Sequence, residues 1–223
     1  MDCNPLAVFR QGFYECCQTA GDALMNTCDA LLTYPEAHAF AELSLSPHFT
    51  RRWPSLYAGV QDAQLDRSAL RRLFATSLAS LNASPNASPN ASARWILGVD
   101  ASHILRPLSP TARDRIRLHS SDKAPGQAGW SFSTVAVLPQ PCSSWTYILD
   151  NQRIPSARTP GQVAALQLAA LQLAAVVPLL PPLPGAPCPL LLGDRYYGST
   201  PFLQAAHAVP CDKLLHLQGH RVF

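Results

Sequence analysis

The sequence predicts an α/β fold with a mixed sheet and flanking helices, preceded by a small helical region. Three observations support this class. Short apolar segments of strand length recur after residue 93, and one alanine- and leucine-rich segment among them has the length of a helix. Before residue 82, apolar residues instead recur every three or four positions. A chain of 223 residues that is 48% hydrophobic can bury one good core, with or without a small helical appendage.

Residues 1–81 form the predicted helical N-terminal region, a candidate for DNA binding or dimerisation. Apolar residues from Phe9 to Leu31 lie on one helical face, and Tyr34-Pro35 ends that run. Asp66 is the predicted N-cap of a second helix. The other face of this second helix carries Arg67, Arg71 and Arg72. These arginines are either a solvated helix face or contacts to a phosphate backbone.

Residues 82–92 read NASPNASPNAS, a low-complexity composition that cannot pack a core. We therefore predict a linker here and a second structural unit over residues 93–223.

The second unit has a regular order of predicted elements. In chain order they are the strands Trp95–Asp100, Gly129–Leu138 and Ser144–Leu149 (turning at Asp150-Asn151), the helix Pro160–Val177, the strand Leu190–Asp194, a short helix capped by Ser199, and a strand starting at Lys213. Strand-strand-strand-helix-strand-helix-strand is the order of a ribonuclease-H-like fold. In that fold the first strand is central, and the fourth lies beside it in parallel.

Two aspartates, Asp100 and Asp194, end the predicted first and fourth strands. A carboxylate there is costly to bury unless it is paired. Parallel pairing of the two strands would bring both carboxylates to one edge, within roughly 4–7 Å, where they could share divalent ions about 3.5–4 Å apart. The sequence thus predicts a Mg²⁺ (or Mn²⁺) site with Asp100 and Asp194 as metal ligands and catalytic residues. Asp100 could instead cap a strand-to-loop turn.

Charge and motif content narrow the function classes. A net charge of +3 permits a nucleic-acid partner without requiring one. Arg113, Arg115 and Arg117 follow the first strand and form either a solvated loop or a path for the DNA backbone. The phosphate-binding loop, the dinucleotide fingerprint and the hydrolase elbow are absent. No segment is predicted to span a membrane, and the seven scattered cysteines suggest reduced thiols in the cytoplasm.

Three segments resemble the DDE-superfamily transposases of bacterial insertion sequences. Residues 95–102 (WILGVDAS) are similar to that family's first-acid strand, residues 129–137 (GWSFSTVAV) to its second strand, and residues 192–199 (LGDRYYGS) to its second-acid motif. The resemblance covers about residues 36–223. It implies that Asp100 and Asp194 are the first two metal-binding acids of an endonuclease and strand transferase. It also implies DNA partners (transposon ends and target) and a nucleoid-associated location.

The third acid of that family lies on a helix after the fifth strand, and here Asp212, before that strand, is the only acid of the tail. We therefore expect a truncated transposase with impaired or no activity, acting as a homodimer or with a full-length transposase. Two alternatives remain: a non-catalytic DNA-binding remnant, and an unrelated metal-dependent phosphoesterase.

Overall fold

The computed structural model describes residues 4–82, 94–109, 114–118, 126–138, 146–155, 161–183, 185 and 187–216. The chain divides into two compact units, residues 1–80 and 81–223. The predicted linker lies outside the described residues except for Asn82, the last residue of a helix. No helix of the described segments has the length and apolar character needed to cross a membrane.

The first unit is helical, with one two-stranded ribbon. Its elements are α1 (Pro5–Glu15), β1 (Cys17–Thr19), α2 (Gly21–Thr33), a 3₁₀ helix (Phe40–Leu45), α3 (Pro54–Asp62), β2 (Gln64–Leu65) and α4 (Arg67–Asn82). β1 pairs antiparallel with β2. The core of this unit includes Ala30, Leu43, Phe49 and Leu56.

The single helix predicted from Phe9 to Leu31 is wrong, because the chain leaves the helix after Glu15 and starts a new one at Gly21. Ala20, just before α2, has a left-handed backbone (φ 56°). Apolar residues at helical spacing predict that a segment is helical. They do not reveal where one helix ends and the next begins when the spacing continues across the break. The Asp66 cap is confirmed, since its Oδ1 accepts the backbone N–H groups of Ser68 and Ala69, both at 2.9 Å.

The second unit is built on a six-stranded mixed sheet. Its elements are β3 (Ile96–Leu105), β4 (Ile116–Leu118), β5 (Gln127–Val137), β6 (Tyr147–Arg153), α5 (Gly161–Val176), a 3₁₀ helix (Val177–Leu179), β7 (Leu190–Gly193), α6 (Thr200–Ala205) and β8 (Asp212–Leu215). The strands lie in the order β6-β5-β3-β7-β8. The short strand β4 pairs with β5 on the same side as β6, next to the beginning of β5. Only the β3–β7 and β7–β8 pairs are parallel. This topology confirms the ribonuclease-H-like fold class.

Helix α5 covers one face of the sheet and is locked there by a buried polar pair. The Ser133 hydroxyl donates to Gln172 Oε1 at 2.6 Å, and Gln172 Nε2 donates to the Ser133 carbonyl at 3.0 Å. Both side chains are fully buried, so each satisfies the other. Alternation along the paired strands puts the buried Leu97, Val99 and Leu191 on this same face.

Two predicted strand ends are wrong. β3 continues past Asp100 to Leu105, because β5 is long enough to pair with it throughout. β6 runs through Asp150 and Asn151, where a turn was expected. Asp150 is buried opposite Val135, next to a register shift, and its carboxylate accepts a hydrogen bond from the Gln152 amide at 2.7 Å. Residues that favour turns can thus be part of a strand when a long neighbouring strand supplies backbone hydrogen-bond partners.

Candidate metal centre

Asp100 and Asp194 occupy matching positions on the two central parallel strands. The register pairs Val99 with Gly193, and each aspartate is the next residue of its chain segment. Neighbouring strands lie about 4.8 Å apart. The two acids therefore lie side by side at one end of the sheet.

The backbone at Asp100 is regular strand. β7 ends at Gly193, so no described strand pairs with β3 on that side from Asp100 onward, while its other edge pairs Asp100 with Thr134 of β5. Leu97 and Val99 are buried, whereas Asp100 points to the opposite face and is exposed. The alternative that Asp100 caps a turn is therefore wrong.

Asp194, in contrast, starts a tight turn. Its carbonyl accepts the Tyr197 N–H at 3.1 Å, and its Oδ1 accepts the Tyr196 N–H at 2.9 Å. Aspartate favours the first position of such turns because its short side chain reaches the backbone two residues later. The turn holds one carboxylate oxygen in place, and the other accepts no hydrogen bond from the described residues.

Gly193 permits the chain to fold back after this turn. A Cβ at position 193 would lie 2.9 Å from the Cβ of Tyr197 and 2.8 Å from a methyl group of Leu215. Tyr197 uses this space: it is 3% exposed and contacts Phe202 edge-on, with ring centroids 5.2 Å apart. The small residue before the acid therefore lets an aromatic ring pack beside the end of β7.

The Tyr197 hydroxyl is buried and has no hydrogen-bond partner among the described residues. Burial raises the pKa of this phenol, and the negative charges of Asp100 and Asp194 raise it further. The phenol consequently keeps its proton at neutral pH, and both carboxylates are close enough to act on it. The sequence offered only an indirect signal for this group, namely a tyrosine shortly after a Gly-Asp strand end.

The donor set suits a hard divalent cation. Within the described residues, neither Asp100 nor Asp194 takes part in an ion pair. The described residues contain no group of three histidine, cysteine or acidic side chains that could hold a metal. Two carboxylates with exposed oxygens fit Mg²⁺, because that ion is commonly held by one or two carboxylates together with waters and substrate phosphates.

Asp212, the remaining acid of the tail, lies at the opposite end of the parallel strands. It is the first residue of β8, in register with Leu190, and Arg94 Nη2 donates to its Oδ2 at 2.6 Å. The hydrogen bond from Arg94 lowers the pKa of Asp212 below its usual value. Asp212 is therefore a member of an ion pair, remote from Asp100 and Asp194.

Two of the three arginines predicted to contact DNA are described, and Arg113 lies outside the described residues. Arg115 is exposed, and its Nη1 donates to the Ser109 carbonyl at 2.8 Å. Arg117 belongs to β4, where a loop was expected, and pairs in register with Ala128. Because Ala128 and Thr134 are an even number of residues apart on β5, Arg117 projects from the same sheet face as Asp100.

Neither a scan against protein-family models nor a search of curated proteins gives a match. Among solved structures, the chain is similar to a piggyBac transposase, seen by cryo-electron microscopy in a synaptic complex with hairpin DNA. The TM-score is 0.42 and the sequence identity 10%, with 99% of this chain and 43% of that chain covered. The chain thus spans less than half the length of that transposase.

Proposed function

We propose that this chain is a DNA-processing protein of the transposase type, related to the DDE-superfamily transposases of bacterial insertion sequences. The observation that carries the proposal is the pair of exposed carboxylates, Asp100 and Asp194, in adjacent register positions of two parallel central strands. The motif resemblance around both acids supports the same assignment.

In this proposal, Asp100 and Asp194 hold Mg²⁺ or Mn²⁺. The metal would supply activation of a water or 3′-hydroxyl and stabilisation of the leaving oxygen during in-line attack on a DNA phosphodiester. The backbone N–H of Tyr196 donates to Oδ1 of Asp194 and so restricts the rotation of that carboxylate. A small displacement of the reacting groups costs on the order of 100-fold in rate, so the positions of these two carboxylates should matter strongly for cleavage.

DNA would approach over the sheet face that carries Asp100. Arg117 projects from this face, and the exposed Arg115 lies two residues before it. Arginine contacts to phosphates bind any sequence, so the affinity supplied by these side chains should be non-specific and sensitive to salt. We propose DNA as the partner, bound either by a homodimer or together with a longer transposase copy.

The test combines metal binding with plasmid nicking. Asp100→Asn and Asp194→Asn keep the side-chain volume and remove one negative charge each. Both should weaken Mn²⁺ binding at least roughly tenfold and abolish any Mn²⁺-dependent nicking of supercoiled plasmid, since each removes an anionic ligand. Free Mn²⁺ can be followed by electron paramagnetic resonance.

Glu36→Gln is the matched control, because Glu36 is an exposed acid of the first unit and its replacement makes the same change in charge. Unchanged Mn²⁺ affinity in both aspartate variants would overturn the proposed metal centre. Metal and DNA binding by the wild type without any nicking would instead favour the non-catalytic DNA-binding alternative.

A further inference from the structure

We propose that the exposed side chains of Arg52, Trp53 and Tyr57, in the first unit, form a binding site for single-stranded DNA. An unpaired base stacks on the Trp53 indole, and Arg52 contacts the adjoining phosphate. The inference rests on the proposed function for the choice of DNA as the nucleic acid. It adds to that function a contact that needs no metal and lies in a different unit from the two aspartates.

Trp53 and Tyr57 are exposed aromatic residues on one side of α3. Trp53 has helical backbone angles and directly precedes the helix, and Tyr57 lies four positions later, so the two side chains are neighbours. Trp53 is 59% exposed and Tyr57 is 46% exposed. Single apolar side chains at a surface are common, whereas large ones grouped together mark interaction sites.

The geometry of the rings leaves the indole free to stack. Trp53 and Tyr57 meet edge to face, with ring centroids 6.0 Å apart and planes at 87°. Tyr57 also meets Phe40 edge to face at 5.2 Å, and Phe40 packs against the core of the unit. An edge-to-face contact covers at most one face of one ring. The Tyr57 contact therefore leaves at least one face of the indole uncovered, and a nucleic-acid base can stack on such a face.

The backbone holds Trp53 in place although its side chain is exposed. The Arg52 carbonyl accepts the Ser55 N–H at 2.9 Å and the Ser55 hydroxyl at 2.7 Å. The Trp53 carbonyl accepts the N–H of Leu56 at 3.1 Å, and Leu56 is fully buried. On the other side, the buried Phe49 anchors the chain in the same core. A surface that is already ordered loses less entropy when it binds.

Arginine side chains beside the rings favour nucleic acid as the ligand. Arg52 is exposed and forms no ion pair with a described residue. Arg51 pairs with Asp22 at 3.5 Å, and both of these side chains are largely exposed. Such an exposed pair contributes little and can be exchanged for a phosphate contact. Stacking rings for the bases and cations for the backbone are together the chemistry of single-strand binding surfaces.

The stacking geometry selects unpaired bases. In a duplex, each base is stacked on its neighbours and offers only its edges to the grooves, so an indole face finds no open base to cover. A base in a single strand has faces that an aromatic side chain can contact. The ligand of this site is therefore an unpaired stretch of DNA.

The experiment measures the fluorescence anisotropy of a labelled oligothymidine of about 16 nucleotides, a length at the upper end of single-strand binding sites. It uses the full chain in the presence of EDTA. Trp53→Leu keeps an apolar side chain and removes the ring. It should weaken binding at least about fivefold, because stacking of one base on an aromatic ring contributes that much or more. Trp53→Phe restores a ring and should recover most of the affinity.

The salt dependence separates the ring from the charge. Arg52→Gln should lower the log–log salt slope by about 0.7, the value for one phosphate of a single strand. Trp53→Leu should leave the slope unchanged, since stacking releases no counterions. Leu32→Ala is the matched control, because it removes an apolar side chain of the same unit that is 80% exposed. It should keep both the wild-type affinity and the wild-type slope.

Three results would overturn the inference: wild-type affinity in Trp53→Leu, an equal loss in Leu32→Ala, or an equal loss of binding to a duplex of the same length. Self-association that Trp53→Leu abolishes, with oligothymidine binding unchanged, would assign the rings to a protein interface instead. Because the assay contains no metal, a failure of the proposed metal centre does not alter its result. A failure of this site likewise leaves the Mn²⁺ measurements unchanged.

Discussion

The carboxylates at the two ends of the parallel strands β3, β7 and β8 differ in whether a positive charge compensates them. At the amino end, Asp212 is paired with Arg94 at 2.6 Å. At the carboxyl end, Asp100 and Asp194 lie side by side, and neither forms an ion pair with a described residue. The same sheet thus neutralises an acid at one end and leaves two adjacent acids uncompensated at the other.

This difference separates a structural acid from acids available to a ligand. Like charges on adjacent strands repel and reduce stability, so a fold gains nothing from Asp100 beside Asp194 unless a cation joins them. Asp212 and Arg94, in contrast, compensate each other within the chain and have no charge left for a metal. The proposed metal site therefore lies at the carboxyl end of these strands, and three experiments test the contrast between the two ends.

The largest effect is expected from placing a lysine side chain beside Asp100, at the carboxyl end of the parallel strands. Thr134 lies directly opposite Asp100 and is half-buried. Thr134→Lys should weaken Mn²⁺ binding at least roughly tenfold. A cation about 6 Å from a divalent ion costs on the order of 1.4 kcal/mol even at the dielectric constant of water. Thr134→Gln controls for side-chain length, and equal affinities in the two variants would contradict the electrostatic argument.

A smaller effect is expected on DNA binding. Replacing Arg113, Arg115 and Arg117 together by alanine should weaken binding to any duplex by a similar factor. The log–log salt slope should fall by about 0.9 for each phosphate that these arginines no longer neutralise. Arg94→Met, at the amino end, should leave that slope unchanged. Fluorescence anisotropy of labelled DNA over a salt series measures the slope for the triple variant and for Arg94→Met. An unchanged slope in the triple variant would assign those arginines to ordinary surface.

The smallest effect concerns the Arg94–Asp212 pair and pH. The pKa of Asp212 is lowered in the folded state, chiefly by the hydrogen bond from Arg94. The pair therefore contributes stability above the ordinary aspartate pKa of about 3.9 and loses it as pH falls through the folded value. The Tm difference between the wild type and Arg94→Met should be small near pH 7 and vanish near pH 2. A difference that persists at low pH would point to lost packing of the arginine.

Most of the fold follows from local pattern. The apolar run Leu190–Gly193, the alternating segment over β5 and the alanine-leucine helix α5 were all predicted close to their observed bounds. The errors fall where pairing overrides local preference. Asp150 and Asn151 favour a turn, and β3 was expected to stop at its acid, but the eleven-residue strand β5 keeps both neighbours extended.

The residue types and their order along the chain determined the acid that follows β7, the cap at Asp66 and, apart from β4, the succession of strands and helices in the second unit. These depend on interactions between residues a few positions apart, which a sequence displays directly. Tertiary structure alone decided the register that sets Asp100 beside Asp194, the pairing of Arg94 with Asp212 across 118 positions, and the burial of the Tyr197 hydroxyl. Those features depend on how segments far apart in the chain pack against one another, and no local spacing encodes that packing.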